Sequence, residues 1–147
     1  MNGHIKSIVI NGIRFFLILL WVYAASAKLL AFRQSRVEMH SQVFSPAVAD
    51  FLTWAIPVSE LIIAITLISK KFQKTGFILS VFFLTIFSGY ILLIVSNAFN
   101  HIPCSCAGIF RNISWHTQLA FNMLVLTVSI TALYLKISQK GGNMGKA

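Results

Sequence analysis

Four apolar runs, each about twenty residues long, leave this chain few ways to fold. They cover approximately residues 8–31, 47–69, 75–96 and 115–135, and they leave only short polar connections between them. About 20 apolar residues cross a hydrocarbon core of ~30 Å as one α-helix. Strands are the competing reading for runs rich in Ile, Val and Phe. The runs show no period-two alternation, and an open sheet leaves backbone groups unpaired in lipid. The expected fold is therefore all-α: a polytopic membrane protein built as a four-transmembrane-helix bundle, forming one domain over residues 1–140. The tail 141–147, with three glycines, is expected to be disordered.

Composition excludes other classes. Charged residues make up 10% of the chain, against roughly 25% in a soluble domain. The net charge of +9 invites a nucleic-acid partner. However, the basic residues sit between apolar runs and form no basic reader helix, so no nucleic acid is expected. The implied partner is the lipid bilayer and its anionic headgroups.

The same charges set an orientation. With four spans, both termini and the turn Lys70–Lys74 share one side, which carries eight Lys and Arg residues. The opposite side carries four: Lys28, Arg33, Arg36 and Arg111. The positive-inside rule then puts both termini in the cytoplasm and the segment between the third and fourth spans outside, in the periplasm if the membrane is a bacterial inner membrane. A rival reading treats Arg14, the apolar run from Phe15 and Ala25-Ser26-Ala27 as a cleaved signal peptide. Against it, the apolar run continues past that point as Leu29-Leu30-Ala31-Phe32.

The exterior segment holds both cysteines of the chain, in His101-Ile102-Pro103-Cys104-Ser105-Cys106-Ala107-Gly108. A pair at i and i+2 closes a small ring, because bridged α-carbons must approach to about 4.4–6.8 Å. So short a loop removes little unfolded-state entropy, which makes it a poor staple. A strained bridge is more readily reduced, which suits a couple that passes electrons. Two other readings stay open. The cysteines are small hydrophobes at a helix edge, or His101, Cys104, Cys106 and His116 ligate zinc or copper. The spacing matches no recognised metal motif.

Two charges fall inside apolar runs. Glu60 lies midway along the second span, where a carboxylate costs about 2.5–3.5 kcal/mol or more and must face the bundle or a wet cavity. Its candidate partners are Arg14, Lys28 or a Ser or Thr of another helix. Lys28, near the outer end of the first span, either snorkels to the interface or pairs with Glu60 or with a thiolate, whose pKa a cation lowers. Pro46 suits the first turn of the second span and Pro57 can kink it. Gly76 and Gly89 are candidate close-packing positions. Trp54 and Trp115 fit an aromatic belt, Asn122 is a candidate bridge between helices, and Phe77, Phe82, Phe83 and Phe87 read as packed or lipid-facing.

Three pieces of this pattern resemble a known group. Ala24-Ala25-Ser26-Ala27-Lys28-Leu29 and Pro57-x-x-Glu60-Leu61 resemble signatures of DoxX-like membrane proteins. Pro103-Cys104-Ser105-Cys106-Ala107-Gly108 followed by Trp115 and Asn122 is similar to the MauE branch, named for methylamine utilisation. The resemblance implies a four-helix membrane protein linked to thiol–disulfide exchange outside the cytoplasm. It also implies kinship with quinone-linked disulfide-forming proteins and an extracytoplasmic thiol or disulfide protein as partner. On that reading Cys104 and Cys106 are the reacting pair, a quinone is a possible cofactor, and Glu60 and Lys28 handle protons or stabilise a thiolate. Ala107 departs from the pattern, and there is one cysteine pair where a complete relay often has two. The function expected is membrane-embedded disulfide formation or exchange. The alternatives are a non-catalytic assembly or anchoring subunit and a metal-handling loop.

Overall fold

A computed structural model describes residues 2–98 and 114–144, with side chains as far as residue 139. Five helices account for nearly all of it: α1 (Gly3–Leu30), α2 (Phe32–His40), α3 (Pro46–Ile68), α4 (Gln73–Val95) and α5 (Trp115–Met144). Four of them, α1, α3, α4 and the Trp115–Gln139 part of α5, are long and apolar enough to cross a membrane. The chain is a multi-pass, all-helical membrane protein.

The four spanning helices form a closed ring. α1 packs beside α3 and α5, and α4 packs beside the same two. This is an up-down-up-down order in which each helix neighbours those next to it in sequence, as short connections dictate. The diagonal between α1 and α4 is bridged by one large side chain. Trp21 donates its indole N–H to Ser80 Oγ at 3.1 Å and packs edge-on against Phe83, with centroids 5.5 Å apart. Leu17, Phe77, Leu67, Val125 and Pro57 are sealed in the centre. Outward, the surface is apolar: Phe15, Leu30, Phe51 and Tyr134 are among the most exposed side chains. That inversion is what a lipid solvent allows.

The helix ends follow from their residues. α3 begins at Pro46, whose missing N–H is harmless there. α4 stops in a Schellman turn: Ala98 N–H donates to Leu93 O and Asn97 N–H to Ile94 O, both at 3.1 Å. Asn97 supplies the left-handed residue this turn needs, with φ of 54°. Ser114 caps α5 as expected, accepting from Thr117 N–H at 3.3 Å. At Gly76 the backbones of α3 and α4 come so close that a Cβ would lie 2.9 Å from Leu67 N, whereas Gly89 faces open space.

Two boundaries differ from the apolar pattern. The polar connection after the first span contains a nine-residue helix, α2, separated from α1 only by Ala31. The helical backbone of α5 continues past Leu135 through Gly141–Met144, because a chain leaving the membrane need not stop being a helix where it stops being apolar. Residues 145–147 lie outside the described residues.

Candidate functional site: an ion pair beside an apolar cavity

The break at Ala31 decides where Lys28 points. Ala31 leaves helical geometry, with φ −104° and ψ 42°, and Ser35 Oγ donates to the Lys28 carbonyl at 3.2 Å. α2 therefore turns back over the bundle. Its Arg36 and His40 both reach Asp50 Oδ1 on α3, at 2.8 and 2.7 Å, and Phe32 packs on Trp54. The bond from Arg36 to Asp50, and the attraction between the two charges, raise the Arg36 guanidinium above its ordinary pKa.

Beneath this strap Lys28 is not snorkelling outward. Its Nζ lies 2.7 Å from Glu60 Oε1, and the side chains are 12% and 5% exposed. Of the partners considered for Glu60, Lys28 is the one it meets. Arg14 is engaged elsewhere. Its guanidinium donates to the carbonyls of Leu67 at 2.6 Å and Ile68 at 2.5 Å, satisfying the C-terminal end of α3.

A cavity of about 370 Å³ adjoins the pair. Lys28 forms part of its wall, with Met39 and Gln42 from α2 and the segment after it, Leu52 and Ile56 from α3, and Phe83, Phe87 and Tyr90 from α4. The lining is almost wholly apolar, and its volume falls in the range of small-molecule sites, about 300–1,000 Å³. Tyr90 is fixed in the wall: its hydroxyl donates to Gln42 Oε1 at 2.7 Å and its ring stacks on Phe44 at 5.5 Å. Phe83 and Phe87, which read from sequence only as packed or lipid-facing, are walls of this space. Lys28, Tyr90 and Gln42 supply the polar groups of this wall.

Sequence reasoning found Lys28 and Glu60 but missed Gln42, Tyr90 and the strap. Gln42 is one of several polar residues in a polar stretch, and nothing in its spacing marks it. Cys104 and Cys106 lie outside the described residues, as does His101 of the conceivable metal set. α4 ends at Val95 and α5 begins at Trp115 at the end of the bundle where α2 and the cavity lie. Among the described residues no group of three or more His, Cys, Asp or Glu side chains gathers to hold a metal.

This arrangement spans the same stretch as a family match. The model of methylamine utilisation protein MauE matches residues 6–135. The chain belongs to the MauE family. No curated protein and no solved structure gives a significant match. The MauE match runs from the first turns of α1 to the outer part of α5, so it takes in α2, the ion pair, the cavity and the cysteine segment.

Proposed function

We propose that this MauE protein is a membrane thiol–disulfide redox protein whose Cys104 and Cys106 form or exchange disulfides in an extracytoplasmic partner. The observation that carries the reading is the Lys28–Glu60 pair beside an apolar cavity, at the end of the bundle where α4 ends and α5 begins. The excess of Lys and Arg on the other side supports an extracytoplasmic location for that end.

The exchange begins when a partner thiolate attacks one sulfur of the Cys104–Cys106 disulfide, giving a mixed disulfide and releasing the other sulfur as thiolate. The partner's second thiolate then attacks its own sulfur in the mixed disulfide. The partner leaves oxidised, and the pair is left as a dithiol. Reclosing the pair releases two electrons and two protons, for which a membrane quinone would be the acceptor. Lys28 at the cavity wall and its partner Glu60 take and return protons, and the aromatic side chains of Phe83, Phe87 and Tyr90 would hold such an acceptor away from water.

The test is gel-shift alkylation of the two thiols in intact cells. The expected result is a pair that is oxidised when quinone is plentiful and accumulates as dithiol when quinone is depleted. A Cys104→Ser or Cys106→Ser variant should trap a mixed disulfide with the partner. A pair that stays reduced and inert under both conditions, with no trapped complex, would sink the redox reading and favour an assembly subunit. Stoichiometric metal in the purified protein would favour the metal-handling loop.

A further inference from the structure

Four buried side-chain atoms have no hydrogen-bond partner among the described residues, and three of them, Glu60 Oε2, Ser88 Oγ and Asn122 Nδ2, lie between the middle of the bundle and its outer end. Leaving such groups dry costs about 1–3 kcal/mol each. One orphan is tolerable, but three on neighbouring helices call for a common explanation.

Register brings them into the same part of the bundle. Lys136 donates to Gln73, which fixes α5 against α4 at the inner end. About four turns outward along each helix lie Ser88 and Asn122. Trp21 bonds Ser80, which fixes α1 against α4. About two turns outward on both lie Lys28 and Ser88. Lys28 in turn bonds Glu60 on α3. Leu67 faces Gly76 across α3 and α4, which puts Glu60 level with Phe83, about a turn and a half inside Ser88. Helical side chains tilt toward the helix N-terminus, outward for Glu60 and inward for Ser88, so the two close part of that gap. Exposures of Glu60, Ser88 and Asn122 are 3%, 6% and 8%. The atoms are also complementary: a carboxylate oxygen that accepts, an amide N–H that donates, and a hydroxyl that does both.

We infer that Glu60, Ser88 and Asn122 form an internal water site, in which one or more waters bridge Glu60 Oε2 to the Ser88 hydroxyl and the Asn122 amide. Buried waters occupy polar sites of this kind and make two to four hydrogen bonds each. The site completes the coordination of Glu60: Lys28 holds one oxygen and water the other. It also gives the carboxyl group a route for proton exchange that does not require breaking the ion pair. The water site stands without the cysteine chemistry; its use as the proton store of the redox cycle rests on that reading.

Infrared spectroscopy of the full chain in lipid nanodiscs tests it without any redox assay. The band lost in Glu60→Gln identifies the Glu60 carboxyl group. That carboxylate band should shift slightly within minutes of transfer to D₂O, as the water hydrogens bonded to Oε2 exchange, and it should shift in frequency in Ser88→Ala and in Asn122→Leu. Those two variants should also lower Tm, by about 2–4 °C for each ~1 kcal/mol of bridging lost. A dry site gives the opposite pattern. Removing orphaned polar groups then leaves Tm unchanged or raised, and the Glu60 band neither exchanges nor moves. That result would overturn the water site and leave the exchange test of the cysteine pair intact.

Discussion

Lys28 Nζ sits 2.7 Å from Glu60 Oε1 although each residue lies on a different spanning helix. Each charge makes the other tolerable. Removing one partner leaves an uncompensated charge in a low-dielectric setting, which costs about 3–5 kcal/mol, whereas replacing both by apolar residues is often neutral. Lys28→Met and Glu60→Leu should each lower stability by about that amount. The double variant should recover most of the loss. Denaturation of the three variants in detergent, set out as a double-mutant cycle, measures the coupling, and additive losses would show that the pair is not coupled. The double variant should still fail to turn over the cysteine pair if Lys28 and Glu60 carry protons.

Arg14 does a different task at the other end of the bundle. Its two bonds to Leu67 O and Ile68 O satisfy carbonyls that the end of α3 leaves without helical partners. Hydrogen bonds to charged groups contribute about 1.5–3 kcal/mol. Arg14→Met should therefore lose about that much stability. Faster amide hydrogen exchange in the last turn of α3 should accompany it, with no change in thiol reactivity. A loss confined to α1 would show that the capping account is wrong.

Gly76 has no room to grow. A Cβ there would lie 2.9 Å from Leu67 N, a backbone atom that cannot rotate away. Gly76→Ala should destabilise by about 1–3 kcal/mol, the usual cost of overpacking, despite alanine's better helix propensity. Gly89→Ala, with nothing within 4 Å, should be neutral or stabilising. Thermal unfolding of the two variants side by side checks the contrast.

The spans were legible because membrane burial writes itself into sequence as length and apolarity, and helices have no alternative in lipid. Glu60 and Lys28 stood out for the same reason: a charge inside an apolar run needs a partner. The helical form and docking of α2 were not legible, since Phe32–His40 carries six polar or charged residues and mixes apolar positions with no long run. Its docking depends on Asp50 and Trp54, which lie beyond the turn. The cavity was illegible too. Phe83 and Phe87 line it, while Phe77 is sealed in the core and Phe82 faces outward at 62% exposure. Four phenylalanines of one helix differ only in which way they point, and the packing of neighbouring helices sets that.

The strap over the cavity hangs on one carboxylate. Asp50 Oδ1 accepts from both Arg36 and His40, so Asp50→Asn weakens both contacts at once. These groups are solvent-facing, and exposed ion pairs contribute little to global stability. The expected outcome is a small change in Tm with a marked rise in hydrogen exchange across α2. Exchange in α3 below Thr53 should stay as in the parent. Unchanged exchange in α2 would mean that Phe32–Trp54 and Gln42–Tyr90 suffice to hold it.

Filling the cavity separates its role from that of the ion pair. Leu52 lines the space from α3 without touching Lys28 or Glu60 by hydrogen bond. Leu52→Trp places a larger ring in a volume of about 370 Å³ and leaves the polar groups in place. If the cavity receives the electron acceptor, the variant should fold, keep its Tm within a few degrees and exchange disulfides once with a partner. It should then reoxidise slowly. A loss of about 1.4 kcal/mol in acceptor binding corresponds to a tenfold weaker site, so reclosure of the pair should slow by about tenfold at limiting quinone and recover as quinone is raised. Stopped alkylation at timed intervals reads the rate. Reclosure at the parental rate, in a variant shown to be folded, would place the acceptor elsewhere.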